Sequence, residues 1–86
     1  MEDKAYEEIT KGGEAEKILN SPIYQKAFAT VKNNIIEAMQ TSPLSDDTTH
    51  NRLVIALQTL NQIQRALTDI MQTGKMAKIQ VNDNVK

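Results

Sequence analysis

The chain has 86 residues, about 40% of them apolar, with three aromatics, no cysteine, no tryptophan and a net charge of −1. That length allows one domain at most, and the missing cysteines exclude disulfides and thiolate chemistry. The near-neutral charge lacks the strongly basic footprint of a nucleic-acid binder, and no apolar run approaches the ~20 residues of a membrane span.

Residues 1–13 are polar and charged and end at Gly12-Gly13. They read as a flexible N-terminal arm that accommodates one helical turn around residues 4–9. Met1-Glu2-Asp3-Lys4 has no apolar core of a secretory signal, so a soluble intracellular protein is expected. Residues 14–19 form a short helix, with Ala15, Ile18 and Leu19 on its apolar side. Asn20-Ser21-Pro22 stops it and starts the next, since Ser21 can cap and Pro22 suits the first helical position. The second helix is expected over residues 22–40. Its stripe is Tyr24, Phe28, Val31, Ile35 and Ala38, in the alternating steps of a packed helix pair.

Thr41-Ser42-Pro43-Leu44 is the turn, because proline disfavours helix at the residue before it. Ser45 then caps a long third helix, with Asp46 and Asp47 at the positive end of its dipole. Leu53, Leu57, Leu60, Ile63, Leu67 and Ile70 recur at steps of three or four and share one face. Gly74 is read as the residue that ends this helix in a left-handed turn. The helix then runs roughly 28 residues, or about 42 Å. Residues 75–81 are either a last helical segment or an extended tail.

A link this short between two long amphipathic helices implies an antiparallel pair. The expected fold is all-α: an antiparallel two-helix hairpin, with the short N-terminal helix packed at its open end, oligomerising into a helical bundle. Three segments follow: an arm over 1–13, a single helical-hairpin domain over 14–81 and a frayed C-terminus over 82–86. Tyr24 should lie near Leu67. Glu14 and Glu16 should approach Lys75 and Lys78, in line with six acids and three bases over residues 1–19 against three lysines and one aspartate over residues 74–86.

No catalytic, cofactor-binding or metal-ligating set emerges, so no cofactor and no enzymatic activity are expected. His50 is the only histidine. Without a cysteine or a second imidazole it makes no zinc site, and it reads as a solvated first-turn residue. The N-terminal carboxylates read as a solvated run, since acid–base pairs need a cleft that raises one pKa. Ile36, Met39, Val54 and Ile55 cannot all point into the helix pair, and they mark a possible interface near the turn. Arg65, Lys75 and Lys78 are possible phosphate contacts, but no aromatic is interleaved for base stacking. Asn61, Gln64 and Arg65 interrupt the long stripe, either fixing its register or facing water.

Two stretches carry a family resemblance. One is Ala15-x-x-Ile18-Leu19-x-x-Pro22-x-Tyr24-x-x-Ala27-Phe28. The other runs from Arg52 through Leu57, Leu60, Leu67 and Ile70 to Thr73-Gly74-Lys75-x-Ala77. They resemble small, uncharacterised helical proteins of tailed bacteriophages. That family often carries a tryptophan near the end of the second helix, where this chain has Met39. The resemblance implies no enzymatic activity and suggests a phage accessory or virion-assembly protein acting by protein contacts. The function expected is thus a non-enzymatic protein–protein interaction module, which includes an inhibitor of a host protein. The expected partners are a second copy and a phage structural or host protein. The alternatives are a nucleic-acid-binding module using the basic C-terminal segment and an oligomeric small-ligand-binding protein.

Overall fold

A computed structural model describes residues 2–85 as three helices: α1 (Glu2–Asn20), α2 (Pro22–Thr41) and α3 (Asp47–Val85), with no strand among the described residues. The fold is all-α. Met1 and Lys86, the extreme ends of the expected arm and frayed terminus, lie outside the described residues.

The break between α1 and α2 is a single residue. Ser21 is extended, at φ −67° and ψ 123°, because Pro22 disfavours helical geometry there. The amide of Ser21 donates to the Ile18 carbonyl at 3.1 Å, and its hydroxyl accepts from the Tyr24 amide at 3.4 Å. Gln25 Nε2 donates across the break to the Leu19 carbonyl at 3.0 Å.

At the other end Ser42, also extended and followed by Pro43, closes α2. The amide of Asp46 donates to the Pro43 carbonyl at 3.0 Å, which tightens the turn. Asp46, and not Ser45, caps α3. Its carboxylate accepts from the Thr49 amide at 3.1 Å and from the Thr49 hydroxyl at 2.6 Å, while its carbonyl takes the His50 amide. The carboxylate reaches the third residue of the helix, the N-cap geometry that Ser45 lies one position too early to make.

The Thr49 hydroxyl and amide hold the Asp46 carboxyl below its ordinary value of 3.8. Its proton therefore binds the unfolded chain more readily than the folded one. The stabilisation from this cap is present above the ordinary aspartate pKa and is lost as pH falls through the lower folded value. Thermal unfolding followed from about pH 5 down to about pH 2 should show a smaller loss of Tm for Asp46→Asn, which keeps the cap acceptor but does not titrate. Equal pH dependence in the two chains would remove Asp46 from the acid response.

Three close pairs set the topology. Gly12 lies against Gly74, Tyr24 against Gln64 and Ser42 against His50. As numbers rise along α1 and α2, they fall along α3. The first two helices thus lie end to end beside the third, α1 on its C-terminal part and α2 on its N-terminal part. The molecule measures 63 × 24 × 16 Å. Its long dimension matches a 39-residue helix, about 58 Å at 1.5 Å per residue.

Two expectations are corrected here. Residues 2–13 are not an arm: they are the N-terminal part of α1, with Gly12 and Gly13 inside it. Gly74 does not end α3, which runs on to Val85, so residues 75–85 are neither a tail nor frayed from 82. No glycine among the described residues takes positive φ. Gly12 and Gly74 serve close approach instead. A Cβ on Gly74 would stand 2.8 Å from the Glu8 carbonyl oxygen and 2.8 Å from Gly12 Cα. Two backbones meet where a side chain has no room. Beside that crossing, Ala15 and Ala77 are the buried apolar side chains of the described chain, at 3% and 2% exposure. The larger apolar residues of the seam, among them Leu53, Leu57, Leu60 and Leu67, are only half-buried.

Candidate interaction surface

The seam of α3 decides which side chains remain outside it. Leu53, Leu57, Leu60, Gln64, Leu67, Met71 and Gly74 are buried or half-buried and alternate steps of four and three. The expected stripe had taken Ile63 and Ile70 instead, and both are exposed. Two local features turn α3 this way. The glycine crossing brings Gly74 into the seam, seven residues after Leu67. The Tyr24 hydroxyl donates to Gln64 Oε1 at 2.6 Å and ties that amide inward. Tyr24 thus meets α3 three residues before the expected Leu67. It also packs on Phe28, with ring centroids 6.0 Å apart.

Gln64 belongs to the seam, whereas Asn61 and Arg65 face outward. The two readings of that polar trio divide between its members. A polar side chain bonded within an otherwise apolar seam is a register device, because a slipped pairing would bury it unsatisfied.

At the turn, His50 is half-buried and engaged, not simply solvated. Its Nε2 lies 3.1 Å from the Pro43 carbonyl oxygen and 3.1 Å from Ser42 Oγ. The carbonyl can only accept, so Nε2 carries the proton. The Ser42 hydroxyl spends its own proton on the Met39 carbonyl at 3.3 Å. The imidazole pins the turn to α3.

Of the four expected interface residues, Ile36 and Met39 are half-buried, while Val54 and Ile55 are exposed. All four lie toward the turn end. They form no single face, since Ile55 follows Val54 by about 100° around the helix. Leu44 in the turn is 94% exposed and Ile55 60%, so the turn end does present apolar side chains.

The expected phosphate contacts do not converge. Arg65 lines a polar depression with Gln58, Asn61 and Gln62. Lys75 and Lys78 lie beyond it on α3 and share a groove with Glu16, which approaches Lys75 at 3.9 Å. That exposed pair contributes little to stability. Glu14 is exposed. Glu7 and Lys11 pair along α1 at 2.7 Å, and this hydrogen bond holds the Glu7 carboxyl below its ordinary value and the Lys11 ammonium above its own.

Two depressions between α1 and α3, and the one on the outer surface of α3, measure about 200 to 220 Å³, below the ~300–1,000 Å³ of small-molecule sites. Among the described residues no cluster of three or more His, Asp or Glu is placed to hold a metal ion. No helix there is long and apolar enough to cross a membrane.

Four residues placed on the expected apolar faces, Ile18, Val31, Ile63 and Ile70, are instead exposed along the middle of the molecule. Comparison of the chain with protein families, curated proteins and solved structures finds no match among any of the three.

Proposed function

We propose that the protein is a non-enzymatic protein–protein interaction module built on a helical hairpin. Its α1–α2 arm and its α3 arm form a one-layer rod that is completed by protein contacts. One observation carries this reading: the chain exposes 6756 Å². A compact monomer of 9.6 kDa exposes only about 5,100 Å². The radius of gyration agrees, at 18.3 Å against about 12 Å for a compact chain of this length. That extra surface carries large aliphatic side chains, Leu44, Ile55, Ile63 and Ile70 among them, and uncovered apolar side chains of this kind suit a protein contact.

The resemblance carried by residues 15–28 and 52–77 supports a phage accessory or virion-assembly protein, or an inhibitor of a host protein. The host cytoplasm or the virion is then the place of action. The apolar turn end, with Leu44, Val54 and Ile55 exposed and Ile36 and Met39 beside them, is the surface for such a partner. The separation of Arg65 from Lys75 and Lys78, and the Glu16 carboxylate beside the latter two, give the nucleic-acid reading no support. The shallow depressions give the small-ligand reading none.

The test is capture from lysate of phage-infected host cells by immobilised protein, set beside the double variant Leu44→Asp/Ile55→Asp. A phage or host protein retained by the wild type and lost by the variant is the expected result. Capture of nucleic acid that declines steeply with salt, and survives in the variant, would overturn it.

A further inference from the structure

Resting on that interaction reading, we propose that the broad mid-rod face carrying Ile18, Val31, Ile63 and Ile70 is occupied by a second copy of this chain. The copy lies antiparallel, across a twofold axis near Ala66. The turn end is then left free for a different protein.

The molecule is 24 Å wide and 16 Å thick. This is two helices side by side and one helix deep, given a helix diameter of about 10–12 Å with side chains. A core needs two layers. The rod supplies one, and its two broad sides differ in chemistry. On one side Glu8, Lys11, Asp69, Ile70 and Thr73 line a groove between α1 and α3 that is mostly apolar in surface. Ile63, Ala66, Ile70 and Thr73 step along α3 by three and four, so they share that side. Ile18 follows Lys11 by seven residues on α1 and shares it too. Val31 extends it onto α2 by helical phase. The four large side chains are 44%, 46%, 54% and 42% exposed in chain order. The opposite side holds the polar depression of Gln58, Asn61, Gln62 and Arg65, and the groove of Glu16, Lys75 and Lys78.

Area and symmetry together select a second copy. A broad side 63 Å long and 24 Å wide spans roughly 1,500 Å², above the ~800 Å² that each partner gives to a stable interface. A twofold interface requires a patch that maps onto itself. Ile63 and Ile70 stand three and four residues to either side of Ala66, and a half-turn there exchanges them between copies. Ile18 lies beside the Ile70 half of the stripe and Val31 beyond its Ile63 end, so both widen the patch onto the arm formed by α1 and α2. Ala66 is small enough to let two α3 helices approach. The charged Glu8, Lys11 and Asp69 border the apolar patch rather than occupying its centre.

Light scattering after size exclusion at about 100 μM, a concentration that populates any dimer tighter than that, tests the proposal. The wild type should run at twice the chain mass. Ile63→Asp and Ile70→Asp should each halve the mass, and Ile55→Asp should leave it doubled. Dissociation can unfold a chain, so a second measurement avoids it. The protein has no cysteine. Ala66→Cys should therefore link into a covalent dimer under mild oxidation, because a twofold there brings the two thiols together. Asn61→Cys, on the opposite side, should stay monomeric on a denaturing gel.

A wild type at single-chain mass would overturn the proposal. So would a doubled mass that survives both aspartates, or linkage through Cys at 61 and not at 66. A monomer that still captures a partner through Ile55 would sink the dimer and leave the interaction reading standing. A dimer that captures nothing would do the reverse.

Discussion

Gly74→Ala should destabilise the protein by about 1–3 kcal/mol, the usual consequence of forcing a methyl group into filled space. Gly13→Ala should stabilise it by about 0.5–1 kcal/mol, because alanine is the better helix former. Both glycines are helical, so intrinsic propensity favours alanine at both. They differ in what the new methyl meets. At Gly13 nothing lies within 4 Å. At Gly74 the methyl meets the Glu8 carbonyl oxygen and Gly12 Cα, both backbone, so α1 and α3 must move apart. Gly12→Ala should behave like Gly74→Ala, since its methyl would stand 2.8 Å from Gly74 Cα. Thermal unfolding resolves the contrast, because a chain of this size shifts its Tm by roughly 4–8 °C per kcal/mol. Equal stabilisation by alanine at positions 13 and 74 would mean that the two helices do not cross at glycine.

Ala77→Asp should have a larger effect. The methyl of Ala77 is almost wholly enclosed where α1 packs on α3. An uncompensated buried charge costs about 3–5 kcal/mol, which is a large part of the roughly 4–13 kcal/mol expected for 86 residues. The variant should shed α1 from α3 and lose helical signal in circular dichroism at low temperature. Met76→Asp is the control. It stands one residue away but outward, and an exposed substitution stays within about 0.5 kcal/mol. Equal losses at 76 and 77 would show that the C-terminal half of α3 does not pack on α1 through this side.

These effects bear on how much of the fold the residues reveal. The second helix was legible at both ends, because Ser21-Pro22 and Ser42-Pro43 act through local sterics that no tertiary contact overrides. The start of α1 and the end of α3 differ from expectation for one reason. By local propensity Gly12-Gly13 and Gly74 read as backbone freedom, as breaks and left-handed ends. In this chain Gly12 and Gly74 stand instead for missing side chains at a helix crossing. Local propensity cannot separate those two uses, but phase can. On α1, Ala5, Ile9, Gly12, Glu16 and Leu19 alternate steps of four and three, and Leu67, Met71 and Gly74 do the same on α3. Each glycine thus falls in step with its neighbours' apolar seam.

The candidate surface was legible only in outline. Surplus aliphatic residues near the turn were apparent from helical geometry. The exposure of Ile63 and Ile70 was not, because the stripes through Leu60–Ile63–Leu67–Ile70 and Leu60–Gln64–Leu67–Met71 both satisfy helical spacing. Apolarity favours the first. The Tyr24–Gln64 bond and the glycine crossing, which join residues 40 and 62 positions apart, select the second. His50 was misjudged for a similar reason, since its partners Ser42 and Pro43 belong to the turn before its own helix.

Small-angle scattering of the wild-type protein tests most directly the claim that the rod is one layer completed by protein contact along its length. It reads mass and radius of gyration in one experiment. A second copy laid along the rod about 10 Å away should double the mass while raising the radius only slightly, from the single chain's 18.3 Å. A doubled mass with a radius near twice that of the single chain would mean end-to-end contact through the turn or the termini. A single-chain mass with an 18.3 Å radius would mean a bare rod. Either result would contradict the claim.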